Sequence, residues 1–213
     1  MRSNIKETFE TKETDGGKEM KTDVILCGVG GQGILSIATV IGVAAMNEKL
    51  FIKQAEVHGM SQRGGDVQSN LRISSVPIYS DLIPLGKADA IISMEPMEAL
   101  RYIPYLNENG WIITSETPFE NINNYPDKNL IGKDLNKIPN VIKINIEKVA
   151  KENNILKSAN IILLGAAQRA LNLEYDKLEN AIRTVFHTKG NRIIEDNIKA
   201  FRIGYDMASP FSN

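Results

Sequence analysis

Two glycine-rich segments carry the residue types that can do chemistry. The first is Gly28-Val29-Gly30-Gly31-Gln32-Gly33. It follows the apolar run Val24-Ile25-Leu26-Cys27 and precedes an almost wholly apolar stretch, Ile34 to Met46. Strand, glycine turn and helix in that order form the entry to a nucleotide-binding βαβ unit. Gly28 lets the chain turn sharply, Gly30 and Gly31 leave bare backbone, and Gly33 lets the helix approach the sheet. The free N–H groups at the helix start favour a phosphate or a carboxylate. The same pattern also serves as a tight turn that holds no ligand. An ordinary dinucleotide site needs an acid closing the second strand. Lys53 stands at that place, and Glu56 is the nearest acid.

The second segment runs from Glu56 to Asp66 and holds His58, Gly59, Gln62, Arg63, Gly64 and Gly65. Arg63 can clamp a phosphate or carboxylate with two parallel hydrogen bonds. His58 titrates near neutral pH and can give or take a proton. If the sheet is parallel, this connection leaves from the same edge as the glycine loop. The alternative is a glycine-rich turn whose Arg63 pairs with Glu56 or Asp66. Other residues offer less. Glu95 sits at a helix start, where a carboxylate is favoured, and His187 at a helix end, where a positive charge is favoured. Cys27, inside a strand, reads as a small buried hydrophobe rather than a nucleophile. Two distant histidines give no metal signature.

The elements that must position these residues alternate. Strands are expected at Thr22–Cys27, Leu50–Val57, Val67–Ser74, Ala88–Met94, Trp111–Thr114 and Val141–Ile146. Helices are expected at Gly31–Met46 and from Glu95, with Pro96 in its first turn, to about Ile103. Asn107–Gly110 reads as a turn, and residues 115–138, rich in Asn, Asp and Pro, as a long loop. From Ser158 the pattern is helical. Ile161–Leu171 is apolar on most sides, so it is either core or an interface on which an isolated chain can pair with itself. Leu178, Ala181, Ile182, Val185 and Phe186 share one helical face, and Ile194, Ile198 and Phe201 mark a last helix. The fold class expected is α/β: a mostly parallel, Rossmann-like sheet with helices on both faces and a helical C-terminal segment. Residues 1–19 read as a polar, mobile extension, 20–206 as a single domain and 207–213 as a tail. Met20 is a second candidate for the start.

Composition narrows the field. The chain has 213 residues with a formal net charge of −1, which leaves no electrostatic footprint for nucleic acid or an anionic membrane. No stretch approaches the ~18 apolar residues of a membrane span. The start is too charged for a secretory signal, so a cytoplasmic location is expected. One cysteine cannot form a disulfide within the chain or hold an iron–sulfur cluster.

Three segments together carry a family resemblance. They are residues 28–34, GVGGQGI, residues 56–67, EVHGMSQRGGDV, and Tyr79-Ser80-Asp81-Leu82-Ile83-Pro84 ahead of Ser93-Met94-Glu95-Pro96. They resemble the gamma subunit, or gamma-type domain, of the 2-oxoacid:ferredoxin oxidoreductases. The run His58 to Gly65 looks most like the beta subunit of indolepyruvate ferredoxin oxidoreductase. The resemblance spans roughly residues 20 to 206. It implies an enzyme that oxidatively decarboxylates a 2-oxoacid, joins the acyl group to coenzyme A and passes electrons to ferredoxin. It also implies that thiamine diphosphate and the iron–sulfur clusters sit on a partner alpha-type subunit, since this chain has neither the cysteines nor a thiamine motif. The chain would be the accessory subunit, inactive alone. Gly28, Gly30, Gly31 and Gly33 would then offer backbone N–H groups and Gln32 a side-chain amide. Gly59, Gln62, Gly64 and Gly65 would shape the second loop, with Arg63 supplying charge and His58 orientation or proton transfer. Their target is coenzyme A or the partner. A stand-alone NAD- or FAD-linked dehydrogenase and a non-catalytic docking module remain as alternatives.

Overall fold

The computed structural model describes residues 19–58, 64–120 and 122–209. Most of the polar extension and the last residues of the tail lie outside that set. Among the described residues six strands form one sheet in the order β2-β3-β1-β4-β5-β6. They are β1 (Lys21–Val29), β2 (Phe51–His58), β3 (Asp66–Ser74), β4 (Ala88–Ser93), β5 (Leu106–Ser115) and β6 (Val141–Ile144). β1, β4, β5 and β6 pair in parallel, while β3 runs against both β1 and β2. Five of the six strands therefore point the same way, and the sheet is mostly parallel as expected.

The pleat explains why β1 and β4 are apolar throughout. Val24 and Leu26 face one side with Ala90 and Ile92, and Ile25 and Cys27 face the other with Ile91. On the first side pack α1 (Ile34–Asn47), α4 (Ile146–Glu152), α5 (Ala159–Ala167), α6 (Tyr175–Phe186) and α7 (Asn191–Ala208). On the second pack α2 (Pro96–Arg101) and α3 (Lys128–Leu135). β1 and β4 are neighbours whose following helices lie on opposite faces, and that creates a crevice at their carboxyl ends.

Several expectations change. Ile161–Leu171 is core rather than interface: Ile161 to Leu164 are fully buried, and α5 lies directly against α7. It cannot be the surface for self-association. The long loop at 115–138 contains α3, whose start is capped by Asp127 accepting from the Asn129 amide at 2.7 Å. Asn107–Gly110 is not a turn but lies within β5, where pairing with β4 shifts between Ala88 and Ala90. Gly110 is needed there, because a Cβ would sit 3.0 Å from the Ala88 carbonyl and closer still to the Leu106 side chain. β6 ends at Ile144. Asn145 caps a new helix, α4, by accepting from the Lys148 amide, and Ile146 belongs to that helix. α7 runs on through Met207 and Ala208, residues assigned to the tail.

Candidate functional site

The site is built at the carboxyl edge of β1. The chain leaves β1 at Val29, and Gln32 N–H donates to the Val29 carbonyl at 3.1 Å, closing a tight turn. Gly33 then begins α1 at φ 80°, a left-handed conformation that a side chain resists. A Cβ there would also lie 2.8 Å from the Asn160 amide, which donates to the Gly33 carbonyl at 2.9 Å. The physical need for glycine at 33 is thus its backbone angle and the α5 side chain above it, not approach to the sheet. α1 has no side-chain cap and no acid in its first turn. That leaves a positive helix end facing solvent.

Three members of the expected wall are already engaged. Gly28 is inside β1, paired opposite Val67. Gly30 N–H donates to the Gly65 carbonyl at 2.8 Å, and Gly64 N–H reaches the Gly30 carbonyl at 3.5 Å. Gln32 does not point its amide outward either. Its Oε1 accepts from the Val29 N–H at 2.7 Å, and its Nε2 donates to the Met94 carbonyl at 3.4 Å. Gly28 is small for this reason, since its Cβ would fall 2.8 Å from Gln32 Oε1.

The second motif arrives by a hairpin rather than a crossover. β2 runs parallel to β1, so its carboxyl end emerges at the same edge. His58 closes β2 opposite Val67, and Asp66 pairs with Val29. The two glycine segments are therefore joined through backbone at Gly30, Gly64 and Gly65. Gly59, Gln62 and Arg63 lie outside the described residues. β3 separates β2 from β1, so no residue of β2 occupies the ribose-binding position of a dinucleotide fold. Lys53 sits mid-strand opposite Arg72, well short of the edge.

A recess of about 430 Å³ opens beside the glycine loop. It is lined by Gly31, Gln32, Gly33 and Ser36, by Met94 at the β1–β4 crevice, and by Lys157 and Asn160. Sequence reasoning missed Lys157 and Asn160. They lie more than 120 residues from the glycine loop in the chain, and no local motif joins them. The sole hint was a basic residue ahead of a small-residue helix start, Lys157-Ser158-Ala159-Asn160. A larger cavity, about 730 Å³, lies at the opposite, amino-terminal edge around Trp111. Its polar rim is largely occupied internally: Asp89 accepts from the Asp23 amide and Asn107, Asn172 donates to Thr22, and Arg169 donates to the Ala208 carbonyl.

The titratable groups near the site are mostly structural. Glu95 is fully buried and caps α2, accepting from the Glu98 amide at 2.9 Å, the Phe119 amide at 3.4 Å and the Tyr125 hydroxyl. Burial, with the Glu95 hydrogen bond second, pushes the Tyr125 hydroxyl up. Burial also raises the Glu98 carboxyl, against the pull of Arg101 2.9 Å away. Cys27 is buried, and desolvation pushes its thiol up, which removes it as a nucleophile. His187 Nδ1 lies 2.7 Å from the Thr184 carbonyl at the end of α6, as its position suggested. Among the described residues no cluster of His, Cys, Asp and Glu could hold a metal ion. No described helix is long and apolar enough to cross a membrane.

Comparison with known proteins supplies the remaining frame. A family model described as pyruvate ferredoxin/flavodoxin oxidoreductase matches residues 23–207. Indolepyruvate oxidoreductase subunit IorB of Archaeoglobus fulgidus is 34% identical over 198 residues, covering 89% of this chain and 96% of that one. Its counterpart in Methanothermobacter thermautotrophicus is 34% identical over 197 residues, covering 89% and 99%. A solved structure described as 2-oxoglutarate:ferredoxin oxidoreductase from Magnetococcus marinus with 2-oxoglutarate, coenzyme A and succinyl-CoA bound has a TM-score of 0.69. That match is 21% identical and covers 89% of this chain and 31% of that one, a likeness of fold.

Proposed function

This chain belongs to the pyruvate ferredoxin/flavodoxin oxidoreductase family, and we propose that it is the accessory subunit of an enzyme oxidising indolepyruvate or a related aryl pyruvate. The reaction consumes a 2-oxoacid and coenzyme A, releases carbon dioxide and an acyl thioester, and sends two electrons to ferredoxin. The donor set of this chain does not fit the family's redox groups. Its one cysteine is buried within the sheet, whereas a cluster takes about four thiolates. On this reading thiamine diphosphate and the clusters belong to an alpha-type partner, through which ferredoxin is reached, in the cytoplasm. Residues 20–206 act as one gamma-type unit.

The observation that carries this reading is the recess at the carboxyl edge. It joins the uncapped start of α1 to Lys157 across the glycine loop, an arrangement suited to phosphate. Coenzyme A is the phosphate-bearing substrate of the proposed reaction. Gly31, Gly33 and Lys157 would receive its phosphates. The hairpin with His58, Gly59, Gln62, Arg63, Gly64 and Gly65 would face the same ligand or the partner, Arg63 supplying charge and His58 proton transfer.

The test is co-expression with the alpha-type subunit encoded beside it, followed by assay of oxoacid- and coenzyme A-dependent reduction of a viologen dye. The alpha-type subunit alone is the control. Activity that requires both chains, with an aryl pyruvate preferred over pyruvate and 2-oxoglutarate, is expected. Lys157→Ala should raise KM for coenzyme A about three- to tenfold with kcat kept, as for loss of one solvent-screened charge contact. Arg63→Ala should lower complex activity or raise the coenzyme A requirement. Activity indifferent to the presence of this chain would refute the proposal.

A further inference from the structure

In open α/β sheets the crevice between two parallel neighbours whose helices diverge is where ligands enter. Here that crevice lies between the ends of β1 and β4, and it is closed by a side chain of the chain itself. Gln32 offers Oε1 to the Val29 N–H and Nε2 to the Met94 carbonyl. One acceptor and one donor, held across two parallel strand ends, are what a –CO–NH– group presents. The two contacts differ in strength: 2.7 Å is a firm hydrogen bond, and 3.4 Å a long one that is easily released. Gln32 is half-buried, and both it and Met94 line the recess that also holds Lys157. A ligand lying in the recess with its phosphates at Lys157 would run toward this pair.

We propose that the Val29 N–H and the Met94 carbonyl form a subsite for a ligand secondary amide, and that Gln32 is its placeholder, displaced on binding. The inference rests on the coenzyme A reading. It names the pantetheine arm, the amide-bearing part of that molecule, as the group that enters the crevice. The phosphate end stays with Lys157 and the start of α1. Gln32 then spares the free chain two unpaired backbone groups at the sheet's edge, and gives them up to a ligand of matching chemistry.

The consequence has a sign that a bracing role would not produce. Gln32→Ala removes the competitor while leaving the subsite intact. In the reconstituted complex of the full chain with its partner subunit, coenzyme A should bind about three- to tenfold tighter to the variant, the equivalent of one intramolecular hydrogen bond no longer displaced. Adenosine 3′,5′-bisphosphate, which lacks the amide arm, should bind both forms equally. Hydrogen exchange at the Val29 amide gives a second readout. In wild-type protein it should be protected with or without ligand; in the variant it should be protected by coenzyme A and not by the bisphosphate. Should the variant fail to assemble, side-chain amide exchange of Gln32 in wild-type protein decides: it should speed up with coenzyme A and not with the bisphosphate. Weaker binding of both ligands to the variant, or unchanged binding of both with Val29 unprotected, would overturn the placeholder while leaving coenzyme A as the ligand. Failure of either ligand to bind the wild-type complex would overturn the coenzyme reading and this inference with it.

Discussion

Replacing Gly204 by alanine would set a methyl group 1.8 Å from the Ile162 carbonyl oxygen and 2.9 Å from the Ala166 nitrogen. The relation is reciprocal, since a Cβ on Gly165 would lie 2.0 Å from the Phe201 carbonyl oxygen. Both neighbours are backbone, so no rotamer change relieves the contact. Side-chain carbons do not approach such atoms within 3.0 Å. The two helices must therefore part by roughly 1.2 Å, enough to forfeit about half of each dispersion contact across the seam. That seam contains Ile161, Ile162, Ala200 and Phe201, all fully buried. The expected loss is about 3 to 5 kcal/mol, at the upper end for overpacking of a core. In a domain of this size it corresponds to a fall in Tm of about 6 to 20 °C. Urea and thermal unfolding followed by circular dichroism and by fluorescence of the single tryptophan, Trp111, would measure it. Gly132→Ala in α3 is the control, because a Cβ there meets nothing within 4 Å. It should be neutral or gain up to about 1 kcal/mol from helix propensity. A Gly204→Ala variant within about 1 kcal/mol of wild type, with Gly132→Ala behaving as stated, would refute the close-packed seam.

Three further outcomes follow from the same geometry. Gly33→Ala should cost about 1 to 2 kcal/mol through its left-handed backbone alone; adding Asn160→Ala removes the clash but not the strain, so a double-mutant cycle by urea unfolding should show partial recovery. Cys27 should resist maleimide in the native chain and react only on unfolding, which mass spectrometry in graded urea would show; labelling without denaturant would contradict its burial. Arg101→Ala should destabilise by about 1 to 2 kcal/mol near neutral pH, a figure already discounted for the half-exposed Arg101 side chain. Burial raises the folded-state pKa of Glu98 above its ordinary 4.5, so the native state holds the proton more tightly and stability falls as pH rises through the folded value. Loss of Arg101 raises that value further, so the deficit should be small at pH 4.5 and grow toward neutrality; a deficit constant with pH would exclude this origin.

What could be read from the chain alone divides by the distance over which the causes act. The strand–glycine–helix entry, the alternation of β3 and the amphipathic faces of α6 and α7 are local, and each was legible. α3 was not, because its buried residues are only Ile131 and Leu135, one helical turn apart within a polar, Pro-containing stretch. Gln32 shows the limit within the site. Its type and place in the motif suggested an outward amide, yet its partners are the backbone of Val29, three residues away, and of Met94, sixty-two residues away just past the end of β4. Lys157 and Asn160 enter the recess only because α5 packs beside α1, and no spacing in sequence encodes that. The glycine loop could therefore be located from sequence, while its chemistry could not. An N–H group is available to a ligand only if nothing in the fold has taken it, and Gly30 gives its own to Gly65 across a hairpin whose antiparallel course appears only when the sheet is assembled. The same clasp makes the two motifs a single mechanical unit. Whatever draws the hairpin toward a partner also pulls on the glycine loop, at the edge where the recess opens.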